Sequence, residues 1–233
     1  MSVFHTLARF RNVCTVAGLT HAILITSAGP TPTGAAMAQA QAPSVAADEP
    51  ILADRRLAAG YLRTGNGDLA ALALERLQKS LPAPYSARVA TALAAIDAGD
   101  LAAAAAATEA LAADLSAARR AAGTRLLADC VRELSDTFAA LDRHRTKHPD
   151  LADATTGAAI TTAAKDSDAA FARCDAEAPT PVKTDADFRR IVDGARASLA
   201  RVPEAVAARD GDLLHRFLIE LRAYEQILKF RHG

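Results

Sequence analysis

The sequence predicts an all-α fold in two parts, a short array of helical hairpins followed by an antiparallel helical bundle. Three observations lead there. Beyond residue 49 the chain is dominated by alanine, leucine, arginine and glutamate, which are strong helix formers. It holds no run of alternating β-branched residues of the kind that makes a strand. Its apolar residues recur at spacings of three and four, the period of a helix with one buried face. The helices expected are 50–64, 68–81, 85–98, 100–118, 120–146, 157–177, 185–208 and 211–231.

The front of the chain has another character. Arg9 and Arg11 precede the mostly apolar stretch Val13–Ala28, which is short for a spanning helix of about 20 apolar residues. Gly29, Pro30, Pro32 and Gly34 then break any helix, and Ala36-Met37-Ala38 and Ala38-Gln39-Ala40 both offer a small-x-small cleavage site. Residues 1–40 are therefore expected to be a signal peptide cleaved after Ala38 or Ala40, with 41–49 a linker and no membrane span left in the mature chain. The expected location is periplasmic or secreted.

Export decides how the cysteines are read. Cys14 leaves with the leader, so Cys130 and Cys174 remain, in a compartment where disulfides persist. A bridge between them is expected to constrain the unfolded chain by about 4 kcal/mol in the loop-entropy picture. Cross-facing residues of a helical hairpin sit equally far from its turn, so this bridge places a turn near Ala152, within "KHPDLADATTG". The separation is far from the Cys-x-x-Cys spacing of a catalytic dithiol. Charge is balanced: 27 basic and 27 acidic side chains in all, and 25 against 27 once the two leader arginines are gone. No strong field for nucleic acid follows.

The string "GDLAA" occurs at Gly67–Ala71 and at Gly99–Ala103, with "GDLL" at Gly211–Leu214. Each reads as a joint between helices. Gly67, Gly99 and Gly211 supply the left-handed residue that ends a helix. Asp68, Asp100 and Asp212 accept a backbone N–H to start the next. "GNGDLA", Gly65–Ala70, also fits a dinucleotide fingerprint, but that motif follows a strand and here a helix precedes it.

The first two copies lie 32 residues apart. In "LAAGYLRTGNGDLAALALERLQKSLP" the stretch resembles a tetratricopeptide repeat, whose period is about 34 residues. Leu57 and Tyr61 stand where first-helix packing residues would, and Pro82 resembles the closing proline. The turn "GNGD" is two residues too long for the register, and Ala95 replaces the expected aromatic in the second unit. The resemblance covers about 51–118, within a hairpin array expected over 50–118. It implies a concave groove, with Tyr61 and Tyr85 as candidate lining, that binds a protein or peptide.

Residues 119–233 read as a disulfide-linked antiparallel four-helix bundle. One stripe holds Leu127, Val131, Leu134, Phe138 and Leu141; a second holds Phe188, Ile191, Val192, Ala195, Leu199, Val202 and Val206; a third holds Leu214, Phe217, Leu218, Leu221, Tyr224 and Leu228. Thr184 and Asp187 are the expected capping box of the second, and Pro203 is expected to kink it.

Bundles hold haem and metals, but the mature chain has no methionine and no Cys-x-x-Cys-His. His144 and His148 share helical ligand spacing in the basic string "HRTKH", with no carboxylate beside them. His215 and His232 stand off the core stripes. No metal or cofactor is expected. Nor is any catalytic residue: Gly-x-Ser-x-Gly, His-Glu-x-x-His and a phosphate loop are absent. Asp129, Glu133 and Asp136 read as a solvated face paired with Arg125 and Arg132. Glu220, between Phe217 and Tyr224, is expected to be half-buried and to meet Arg189, Arg190 or Arg196. The expectation is an envelope interaction or scaffold protein with a protein or peptide partner. The alternative is a small-ligand binder using a bundle interior bordered by Phe138, Phe188, Phe217 and Tyr224.

Overall fold

Nine helices form among the described residues, and two of the three expected joints fall two residues earlier than the "GD" copies. The computed structural model describes residues 49–145 and 149–233, which contain no strand. The helices are α1 (Glu49–Arg63), α2 (Gly67–Ser80), α3 (Tyr85–Asp97), α4 (Leu101–Ala121), α5 (Leu127–Asp142), α6 (Ala154–Glu177), α7 (Thr180–Lys183), α8 (Ala186–Ala207) and α9 (Gly211–His232). The expected leader, its cleavage site and nearly all of the linker lie outside the described residues, as does His148.

Four helix ends close alike. Gly65, Gly99, Gly123 and Arg209 take positive φ, at 77°, 76°, 69° and 55°. The amide of the next residue bonds back across six residues: Asn66 to Tyr61 O at 2.9 Å, Asp100 to Ala95 O at 2.8 Å, Thr124 to Arg119 O at 2.9 Å and Asp210 to Ala205 O at 3.0 Å. These bonds satisfy carbonyls that the helix end leaves open. At three of the four ends that next residue also caps the following helix. Asn66 accepts from Leu69 N at 3.1 Å, Asp100 from Ala103 N at 2.8 Å and Asp210 from Leu213 N at 2.9 Å.

Gly99 and Asp100 therefore hold their expected roles. Gly67, Asp68, Gly211 and Asp212 do not; they open α2 and α9 as first-turn residues. The strings "GNGD" and "RDGD" each contain two Asx residues, and the earlier one makes the cap. The later aspartate is then left in the first turn, where the helix dipole favours it.

Two further corrections concern boundaries. Gly123 ends α4, so the single helix expected over 120–146 is a loop followed by α5. Asp185 caps α8 by accepting from Phe188 N at 2.9 Å, in place of Thr184. Thr184 instead ends the one-turn helix α7, its hydroxyl donating to Thr180 O at 3.0 Å. Helix α8 contains Pro203 and continues past it to Ala207.

Helix α1 packs on α2 and α4, α2 on α3, and α3 on α4; α5 packs on α6 and α9, α6 on α8, and α8 on α9. Two main apolar clusters result. One gathers Leu74, Leu77, Val89, Leu111 and Leu115 with several alanines and Tyr85. The other gathers Phe138, Phe171, Phe188, Phe217 and the Cys130–Cys174 disulfide, whose Cα atoms are 5.5 Å apart. Helix α4 is long and apolar enough to cross a membrane by length and composition, with mean hydropathy 1.3. That apolarity is mostly alanine, and the helix also buries Thr108, Ser116 and Arg119.

Candidate functional site

The feature with the most chemical content lies where α1, α4 and α9 meet. Each helix brings one stripe. Arg55, Arg56, Ala59, Gly60 and Arg63 come from α1, Ala105 and Glu109 from α4, and Arg222, Gln226, Lys229 and Phe230 from α9. These residues recur three, four or seven apart, so each set shares a helix face. They line a cleft of about 290 Å³.

Gly60 makes room for the ring of Phe230. A Cβ there would stand 2.8 Å from the Phe230 ring, so glycine is what lets that ring lie against α1 in its present position. Phe230 in turn sits under Arg63, whose guanidinium carbon is 5.9 Å from the ring centroid. Arg63 also donates to Gln226 Oε1 at 3.0 Å.

Five cations line the cleft against a single carboxylate, Glu109. Lys229 Nζ reaches Glu109 Oε1 at 3.1 Å. Two other cations are held from outside the cleft: Arg56 by Glu49, and Arg222 by Asp142 at 3.6 Å and Glu225 at 3.3 Å. Among the described residues no Asp or Glu lies within ion-pair distance of Arg55 or Arg63. Arg55 is 4% exposed and donates to the Gly233 backbone oxygen. Burial, opposed by Glu109 and reinforced by Arg56 and Arg119, lowers its pKa to about 10. Arg55 therefore remains a cation at neutral pH.

Behind Arg55 lies a cavity of about 20 Å³, room for one water. Its far wall includes Arg119, which is buried with Asp129 in a two-pronged pair at 2.9 and 2.5 Å. Asp129 Oδ2 also accepts from Leu126 N at 3.0 Å and so starts α5. Burial alone would raise its carboxyl pKa, but the bonds from Arg119, Leu126 and Ser116 outweigh burial and the net shift is downward.

The sequence placed Asp129 on a solvated face, and it is 1% exposed. Its helix begins only at Leu127, so its partner is Arg119 across the loop. The neighbouring charges do pair as expected, Arg125 with Glu133 at 2.8 Å and Arg132 with Asp136 at 3.6 Å.

The other sequence candidates scatter. Tyr85 is 7% exposed and packs in the main cluster of α1–α4, while Tyr61 packs against a small separate cluster of Leu62, Ala70 and Ala104. Glu220 is exposed, not half-buried, and meets no arginine. It accepts from Ser198 at 2.9 Å and from Tyr224 at 3.1 Å. The buried carboxylate of that helix is Glu225, which accepts from Ser135 at 2.5 Å and Gln226 at 2.6 Å.

Phe138, Phe188 and Phe217 are buried in one cluster with Tyr224 packed against it. His144 and His215 are half-buried. His232 lies edge-on to Phe188 at 5.5 Å, and burial, then Arg56 and Arg231, push its pKa below the ordinary value. No group of three or more His, Cys, Asp or Glu among the described residues is placed to hold a metal ion.

The cleft was missed, although the sequence carries its signal. Ile51, Arg55, Ala58 and Leu62 form one helical stripe, and so do Leu214, Leu218, Leu221, Glu225 and Leu228. A charge inside an apolar stripe marks a place where two elements meet around polar groups. No protein-family model matches this chain, and no curated protein or solved structure was found to be similar to it.

Proposed function

We propose that this chain is an exported helical interaction protein of the cell envelope, periplasmic or secreted. Its hairpins α1–α4 are tetratricopeptide-like, and α5, α6, α8 and α9 form an antiparallel bundle clipped by Cys130–Cys174. The buried disulfide supports export, because such bonds persist in oxidising compartments.

One observation carries the binding part. Ile219, Ile227 and Phe230 are exposed by 51%, 42% and 42%, and with Ala223 they fall on one face of α9 at offsets of four, eight and eleven. Large apolar side chains gathered on one helix face, rimmed here by Arg63 and Arg222, are the usual make-up of a protein contact. The partner is a protein or peptide that lays an apolar surface on α9.

The test is a photo-crosslinking residue placed at Ile219 or Ile227 in the exported protein. A single envelope partner is expected at both positions, and none at Ala113 on the exposed face of α4. Equal labelling at all three positions, or none at either isoleucine, sinks the reading. Intact mass of the same sample reports leader removal and the bridge.

A further inference from the structure

We propose that the cleft between α1, α4 and α9 is a binding site for a small organic oxyanion, a carboxylate or phosphate group carried on a short apolar body. This goes beyond the docking face on α9 and does not depend on it.

The cleft volume of about 290 Å³ is at the lower end of small-ligand pockets. Its wall is of two kinds. Arg55, Arg56, Arg63, Arg222 and Lys229 make one side cationic, and Ala59, Gly60, Ala105 and Phe230 make a flat apolar strip beside it. A guanidinium donates two parallel N–H bonds to a carboxylate or phosphate, which an ammonium cannot do. Such a head group would meet arginine forks while its body lies on the Phe230 ring and the alanines.

The arginines are already positioned. Arg56 and Arg222 are braced by Glu49, Asp142 and Glu225 from outside the cleft, and Arg63 by Gln226 and Phe230. Arg55, buried at the base, has lost its hydration; it donates to the Gly233 oxygen and has no Asp or Glu within ion-pair distance among the described residues. A second anion in the cleft therefore lowers the free energy of a cation that folding has already desolvated. The single carboxylate lining the cleft, Glu109, pairs with Lys229, and the arginine N–H groups not engaged by Gly233, Glu49, Gln226, Asp142 and Glu225 remain for a ligand.

The experiment is calorimetric titration of the full chain at low salt with four probes: phenylacetate, succinate, phenyl phosphate and inorganic phosphate. Saturable 1:1 binding of phenylacetate or phenyl phosphate is expected, with succinate and inorganic phosphate weaker because they lack the apolar body. Whichever aromatic probe binds more tightly assigns the head group.

Arg63→Gln changes an exposed side chain, so its fold is expected to be intact, and it should weaken binding roughly tenfold by removing one charge-assisted contact. Gly60→Ala should displace Phe230 and weaken the aromatic probes while leaving inorganic phosphate unchanged. Arg55→Gln is expected to abolish binding, and its melting curve is read alongside to separate loss of the site from loss of the fold. No saturation with any probe overturns the proposal. So does inorganic phosphate binding as tightly as phenyl phosphate, or binding that Arg63→Gln leaves untouched. Crosslinking at Ile219 is a separate readout, and either result can fail alone.

Discussion

The main cluster of α1–α4 buries leucines, Ile51, Val89, three alanines and a single tyrosine, whereas α5, α6, α8 and α9 bury four phenylalanines and a disulfide. Alanine lets helices approach closely and forfeits almost no side-chain entropy on folding, but each one removes little apolar area from water. The first half therefore leans on aliphatic side chains, helix propensity and well-made caps, with no phenylalanine in its main cluster. The second depends on large, fully buried rings. Between them lie buried charges beside the apolar strip of the cleft, with Arg55, Arg119 and Asp129 each at most 4% exposed. A seam built that way is strong only while every charge keeps its partner.

The sharpest test of the contrast compares two core positions. Phe188 is 0% exposed at the centre of the second cluster, and Phe188→Ala should cost about 3–5 kcal/mol in urea unfolding. Ala73, equally buried in the first cluster, should cost about 1 kcal/mol as Ala73→Gly, mostly through helix propensity. Equal losses would erase the claimed difference between the halves.

At the seam, Asp129→Ala leaves Arg119 buried without its carboxylate and removes the bond to Leu126 N. The expected loss is about 3–5 kcal/mol. Replacing the pair together, with Arg119→Met and Asp129→Leu, should cost much less, because no charge is then stranded. The pH dependence follows from the downward shift of Asp129. Its contribution is fully present above the unfolded value of about 3.9 and is lost as pH falls through the lower folded value. Wild type should therefore lose stability in that acid range more steeply than the double variant, as read by melting temperature against pH.

Reduction of the disulfide comes next in size. Cys130 and Cys174, 44 positions apart in sequence, tie α5 to α6. Opening the bridge should cost about 2–4 kcal/mol. Hydrogen exchange should rise in α5 and α6 and stay unchanged in α2 and α3. Uniform acceleration along the chain would show that the halves unfold as one unit.

The helices and the Cys130–Cys174 pair were legible because they rest on local pattern: propensity, periodicity of three and four, and equal distance from a turn rich in aspartate. The breaks were legible only where a single reading existed. "AGDL" at Gly99 offers one glycine and one aspartate, and both serve as expected. "GNGD" and "RDGD" offer two registers, and nothing local chooses between them. Gly123 was passed over because alanine surrounds it. The cleft was illegible for another reason: Arg55, Glu109 and Lys229 come from three helices, and their meeting is a fact of packing, not of spacing. Arg55 alone, a charge on the Ile51–Leu62 stripe, carried a sign of it.

The smallest predicted effect tests the first half's dependence on caps, and it has a sign as well as a size. The ends at Gly99 and Arg209 share the same hydrogen bonds and a positive φ, but only one has the residue that adopts it freely. Gly99→Ala should therefore destabilise by about 1 kcal/mol, because a Cβ is disfavoured in the left-handed region. Arg209→Gly should run the other way. It relieves about 1–2 kcal/mol of backbone cost at φ 55°. Against that stands about 0.4–1 kcal/mol from the greater freedom of glycine in the unfolded chain. The net is a gain of about 0.5 kcal/mol, visible as a small rise in urea midpoint at constant slope. A loss on Arg209→Gly would mean that the Arg209 side chain contributes a contact worth more than the strain it carries.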